Sequence, residues 1–339
     1  MGWLGKKIAM TELRVGLIGM GMMGRNHARV LSGLKGIEFI GIADPIQPGQ
    51  VVNQFPLREV FADTNELLSQ KLDYCVIAAP TGFHKEIAIN ALNLGVNCLI
   101  EKPVALNYSD ALAIQETANL KSLIVGVGHI ERYNAAIREL KKRLILGELG
   151  EIFQISMRRQ GPFPARIADV GVIKDLATHD IDLASWLCGS KFRIVSAQTA
   201  HRSGRPHEDL VSINGLLEND VVVNILVNWL SPLKERSLVV TGEKGVFVVD
   251  TLNSDLIFYE NGNHLVSQEA ILHFKGVAQG NVINYAFEKP EPLLIEHENF
   301  RDAILGKESG IVSLEDGVET VRVADAVIRS GKEKISVRL

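Results

Sequence analysis

Gly19, Gly21 and Gly24 stand as G-x-G-x-x-G between an apolar run, residues 13–19, and a helix-like stretch, residues 24–34. That placement leaves few folds open. The first glycine allows a tight turn, the second lets backbone approach a pyrophosphate, and the third lets a helix pack closely on a strand. A phosphate held there would meet free N–H groups and the positive end of the helix. The motif alone could be an ordinary glycine-rich turn. Here the next apolar run, residues 37–44, ends in Asp44, twenty residues past Gly24, where a carboxylate can reach the adenosine ribose of a dinucleotide. Gly19, Met20, Gly21, Met22, Met23, Gly24 and Asp44 are therefore the expected cofactor loop. Asp44 would repel a 2′-phosphate, and Pro45, Ile46 and Gln47 bring no cation to receive one, so NAD is expected over NADP.

The alternation of short apolar runs with helical stretches continues to about residue 130: a helix near 66–70, a strand 73–80, a helix 83–94, a strand 97–103, a helix from Ser109 as its N-cap, and a strand 122–129. Near-continuous apolar strands separated by helices predict a parallel sheet covered on both faces, a doubly wound α/β domain. A helix over 132–146 leads out of it. Beyond residue 151 strands follow one another directly, with alternating segments such as Val221–Leu230 and turns at 218–220 and 242–245, the pattern of antiparallel pairing. One helix, 172–188, interrupts, and two more, 293–305 and 314–330, close the chain. The expected organisation is a Rossmann domain over 1–130 and an α+β domain over 131–339 with a large, mainly antiparallel open-faced sheet, the final helices able to pack back on the first domain.

Composition excludes several classes. The net charge of -4 argues against a nucleic-acid binder, and no apolar run approaches the length of a bilayer span. The opening MGWLGKKIAM lacks the apolar core and cleavage site of a signal peptide and reads as a short overhang. Cys75, Cys98 and Cys188 are odd in number and far apart, which fits neither a disulfide framework nor zinc spacing and suits the cytoplasm.

Two clusters carry chemistry. Glu101-Lys102-Pro103 ends an apolar strand at the edge where ligands of such sheets bind, and Pro103 stops the strand and holds Lys102 extended. A plain surface lysine is the alternative. On the interrupting helix, Asp175, His179 and Asp182 fall at i, i+4 and i+7, one stripe beside the apolar Leu176, Leu183 and Leu187. Oxidising a secondary alcohol requires a hydride acceptor and removal of the hydroxyl proton. A histidine can take that proton, and a carboxylate one turn away can orient it. A solvated helix face is the competing reading. No third ligand at a recognisable spacing suggests a metal. Pro80, Thr81 and His84, after the strand 73–80, can line the cofactor groove or serve only as turn and cap.

Gly19-x-Gly21-x-x-Gly24-x-x-His27, Glu101-Lys102-Pro103 and Asp175-x-x-x-His179, in this order, resemble the glucose–fructose oxidoreductase / inositol dehydrogenase / MocA family. The resemblance implies NAD(P)-linked oxidation or reduction of sugars and cyclitols, and a homodimer or homotetramer formed through the C-terminal sheet. It also implies an active-site group of Lys102, Asp175 and His179. The family's alanine-threonine-proline-asparagine turn is here Ala79-Pro80-Thr81-Gly82. Residues 128–134 and 158–172 are similar to the UDP-N-acetylglucosamine 3-dehydrogenase branch, which implies substrate contacts from His129, Arg132, Tyr133, Arg159 and Arg166. Arg158, Arg159 and Arg166, around a proline-stiffened loop, could grip a diphosphate. The expected reaction is NAD-dependent oxidation of C3 of UDP-N-acetylglucosamine. The alternatives are a free-sugar or inositol dehydrogenase, for which those arginines are idle, and a non-catalytic dinucleotide or sugar sensor, which would not need Lys102, Asp175 and His179 together.

Overall fold

The computed structural model describes residues 12–45, 58–164, 170–262 and 278–339. The opening overhang, Ile46, Gln47 and Arg166 lie outside them. The chain divides into two compact units, one running to Gly128 and joined by Leu293–Val318, the other formed by His129–Pro292 and Glu319–Leu339.

Among its described residues the first unit has six parallel strands: β1 (Leu13–Ile18), β2 (Ile37–Ala43), β3 (Glu59–Phe61), β4 (Tyr74–Ile77), β5 (Asn97–Glu101) and β6 (Val125–Gly128), in the order β3-β2-β1-β4-β5-β6. That is the doubly wound order with its switch point between β1 and β4. The four side chains of β4 are fully buried, as expected of a central strand covered on both faces. The helix Met22–Gly33 buries Gly24, His27, Ala28 and Leu31, positions that share one helical face. A further helix runs Tyr108–Lys121, and its cap is Asn107, which accepts the Asp110 N–H at 2.9 Å. Ser109, the expected cap, lies inside the helix because Asn107 offers an oxygen two residues earlier.

Among its described residues the second unit holds nine strands: β7 (Ile152–Pro162), β8 (Phe192–Ala200), β9 (Leu210–Leu217), β10 (Val222–Asn228), β11 (Leu230–Gly242), β12 (Gly245–Asp250), β13 (Asp255–Gly262), β14 (Ala278–Asn284) and β15 (Val337–Arg338). Their order is β14-β13-β12-β11-β7-β10-β9-β8-β15. Only β10 on β7 is parallel, from Val222 opposite Gln154 to Asn228 opposite Gln160; every other pair is antiparallel. Ile155, Met157 and Arg159 alternate on one face of β7 and are buried, as are Val223, Ile225 and Val227 on β10. The apolar ones form the core of this unit with Ile181, Leu183, Ala184 and Leu187 of the helix Thr178–Cys188.

The interrupting helix is not α throughout. Residues Ile173–Ala177 form a π-turn, and the α-helix runs Thr178–Cys188 to the left-handed Gly189. The winding of the π-turn is wider than the α-turn that the spacing predicts there, and such turns recur at functional sites.

Candidate active site

The glycine loop is shaped as its sequence requires. Gly19 has φ of +93°, and a Cβ there would sit 2.7 Å from the Ala79 nitrogen. A Cβ on Gly24 would meet the Gly19 carbonyl oxygen at 2.0 Å. Gly21 differs: an added Cβ would point into open space. It is the N-cap of the helix Met22–Gly33, with no side-chain cap and no acid in the first turn. The helix start thus offers its N–H groups to an approaching anion, which fits the pyrophosphate of a dinucleotide. Asp44, at the end of β2, is nearly buried, and its Oδ2 accepts the Met20 N–H at 2.7 Å. The carboxylate is thereby locked to the loop. Met20 is buried, Met22 is exposed and Met23 is half-buried.

At the end of β5, Glu101 is buried and Lys102 half-buried. Glu101 Oε1 lies 2.9 Å from His27 Nε2, and Oε2 accepts the Lys102 N–H at 3.1 Å. Burial alone would raise the Glu101 pKa. The His27 bond and charge, the Lys102 charge and the Lys102 N–H outweigh it and hold the carboxyl below its ordinary value. Pro80 is exposed and Thr81 half-buried in a single 3₁₀ turn. His84 is fully buried, with Nδ1 3.0 Å from the Pro103 carbonyl and Nε2 2.9 Å from that of Ala79. Its ring braces the end of β4 to the segment after β5 instead of facing a groove.

In the second unit, Asp175 and His179 are 7% and 8% exposed, so both are buried. The His129 ring stands edge-on to His179, centroids 6.4 Å apart. Around them the helix Thr178–Cys188 is pinned by two ion pairs. Arg132 holds Asp182 through Nε at 2.8 Å and Nη2 at 2.6 Å. Arg159 reaches Asp180 through Nε at 3.0 Å and Nη2 at 2.9 Å, and Glu131 through Nη1 at 2.7 Å. Tyr133 is buried at 5%.

Two expectations change here. Asp182, expected beside Asp175 and His179, is the counter-ion of Arg132. Arg159, expected to grip a diphosphate, has its guanidinium turned into the core, because on β7 it shares a face with Ile155 and Met157. Arg158, on the other face, is largely exposed, with Glu235 3.9 Å away. Sequence reasoning missed Glu131 and Asp180 as partners of Arg159, and His297 as a neighbour of His27. Alternation along β7 is the signal that could have turned Arg159 inward; nothing local marks His297. Among the described residues no group of histidine, cysteine, aspartate and glutamate could hold a metal ion, and no helix is long and apolar enough to cross a membrane.

A Rossmann unit with a dinucleotide loop, followed by a mixed open sheet bearing a buried aspartate and histidine, defines an NAD(P)-dependent dehydrogenase acting on CH–OH groups. The chain belongs to the GFO/IDH/MocA family. Residues 13–129 match its NAD-binding Rossmann fold and residues 137–248 its C-terminal domain. UDP-N-acetylglucosamine 3-dehydrogenase from Acidithiobacillus ferrooxidans is 29% identical over 253 residues, 75% of this chain and 79% of that protein. Inositol 2-dehydrogenase 2 from Saccharopolyspora erythraea is 29% identical over 224 residues, 63% of this chain and 66% of that protein. The solved structure of the A. ferrooxidans enzyme superposes with a TM-score of 0.83 at 26% identity, covering 95% of this chain and 98% of that one.

Proposed function

We propose that this sugar dehydrogenase oxidises the C3 hydroxyl of UDP-N-acetylglucosamine with NAD. The observation that carries the substrate is the likeness to the A. ferrooxidans 3-dehydrogenase, in sequence over 75% of the chain and in structure over 95% of it. NAD, when bound, accepts the hydride. Gly21 and the helix start would hold its pyrophosphate, and Asp44, already fixed by Met20, would accept from the ribose hydroxyls and disfavour a 2′-phosphate. Lys102 donates to the reacting hydroxyl and polarises it. His179 removes the hydroxyl proton, and Asp175 fixes the orientation of His179. Burial of both groups supports this division, since a base shielded from water keeps its proton exchange for the substrate. Arg132 and Arg159 hold the helix that carries His179, and Arg158 and Arg166 are left to meet the phosphates. The assembly is a homodimer or homotetramer through the second unit's sheet, which sedimentation would measure.

A second reading has one observation in its favour. Arg159 is committed to Asp180 and Glu131, which removes one of the three cations offered to a diphosphate and suits an uncharged sugar or cyclitol. The test is turnover: NADH absorbance on mixing protein and NAD with UDP-N-acetylglucosamine, myo-inositol or a free hexose in turn. Activity with inositol or the hexose, and none with the nucleotide sugar, moves the protein to this second reading.

A further inference from the structure

His27, Glu296 and His297 are ionisable side chains that the proposed chemistry does not use, and each lies fully buried in the first unit. His27 projects from the helix that follows the glycine loop; the other two come from the helix Pro292–Ile304. His27 Nδ1 is 2.9 Å from His297 Nε2, with the rings edge-on at 86°. His27 Nε2 is 2.9 Å from Glu101 Oε1, and Glu101 Oε2 takes the Lys102 N–H. An unbroken hydrogen-bonded chain therefore runs from His297 through His27 and Glu101 to the backbone of Lys102.

Apolar side chains would fill this space at less cost, because each buried polar group must recover its lost hydration. What the chain adds is immobility. Both Glu101 oxygens are engaged, so the carboxylate has no rotation left. Only one of the two carboxyls here carries charge: burial and the Glu101 charge push Glu296 well above the ordinary carboxylate range. Burial and the neighbouring His27 push His297 well below the ordinary histidine range, so its ring is neutral. With Glu101 ionised, His27 donates from Nε2. Nδ1 of the same ring meets His297 Nε2, and which of the two nitrogens donates follows the tautomers.

We infer that His27 and His297 are positioning residues for Lys102: they fix the Glu101 carboxylate, which fixes the backbone from which Lys102 projects. The inference rests on the proposed role of Lys102. Its first test needs no substrate. In ¹⁵N-labelled protein, a scalar coupling between His297 Nε2 and His27 Nδ1 is expected across their hydrogen bond. His297→Leu should abolish that coupling and speed exchange of the Lys102 amide by at least about tenfold. His297→Gln, whose side-chain nitrogen reaches the position of Nε2, should keep exchange within about threefold of the parent. With UDP-N-acetylglucosamine as the probe, His297→Leu should lower kcat by roughly tenfold to a hundredfold and change KM little, and His297→Gln should recover most of it. A folded His297→Leu protein with parental Lys102 exchange and parental kcat overturns the inference. Lys102→Ala, run alongside, separates the two ideas: turnover that survives it removes the role of Lys102, whereas its loss beside an unaffected His297→Leu removes only the positioning chain.

Discussion

Arg132 grips Asp182 with two parallel bonds, and its guanidinium carbon lies 5.4 Å from the centre of the Trp186 ring. Both members of the pair are almost wholly withdrawn from water. Removing one leaves the other as an uncompensated buried charge, so Arg132→Ala should cost about 3–5 kcal/mol of stability. Urea denaturation of the parent and variant measures this. A loss under about 1 kcal/mol would mean that water reaches the pair.

The three loop glycines are expected to separate stability from cofactor binding. Gly24→Ala forces a Cβ onto the Gly19 carbonyl and should lower the melting temperature together with NAD affinity. Gly21→Ala adds its methyl to open space and should melt like the parent, yet bind NAD about tenfold more weakly. Thermal unfolding and NADH fluorescence titration give the two readings. Parental NAD affinity in Gly21→Ala would place the pyrophosphate elsewhere.

Asp44→Ser should narrow the preference for NAD over NADP by at least about tenfold, since it removes the charge that opposes a 2′-phosphate. The ratio of the two dissociation constants is the measurement, because loss of the Met20 bond weakens both cofactors alike. An unchanged ratio would move cofactor choice away from this residue.

Lys102→Ala should reduce kcat by about 100-fold or more and leave the NAD dissociation constant within about threefold of the parent. The split distinguishes a residue that acts on the reacting hydroxyl from one that merely holds the cofactor. Comparable losses in both quantities would assign Lys102 to binding.

Glu296 supplies a pH test. Its folded pKa is raised, by burial first and then by the Glu101 charge, so the folded state holds a proton that the unfolded chain releases near the ordinary glutamate pKa. Its contribution to stability is complete below that pKa and is lost as pH rises towards the folded value. Glu296→Gln keeps the neutral form at every pH. The variant should gain on the parent as pH climbs above the ordinary glutamate pKa, by up to about 1.4 kcal/mol per unit. Parallel stability curves would show that Glu296 ionises normally.

Much of the first unit is legible in the sequence because its strands are continuous apolar runs and its glycine loop has one geometric solution. Short edge strands escaped. β3 spans Glu59–Phe61 and β15 only Val337–Arg338, too few residues to show a period. The π-turn at Ile173–Ala177 escaped as well, since an i→i+5 turn leaves no mark in residue spacing. Lys102, Asp175 and His179, the proposed catalytic group, stand out by residue type and position. The partners of Arg159 could not, because Asp180 is 21 residues and Glu131 28 residues away, and only the register of β7 turns that arginine towards them. The His27–His297 contact joins residues 270 apart, a separation across which no local pattern carries information.

Phe300 is fully buried against Gly126, where even a single added carbon would lie 2.8 Å from its ring, and it stands edge-on to Tyr74 at 5.2 Å. The nucleotide-binding half thus borrows a core residue from a stretch translated well after its strands. Those strands must wait, their aromatic socket unfilled, while more than 150 intervening residues are synthesised. A clone cut after Gly128 would inherit that gap for good.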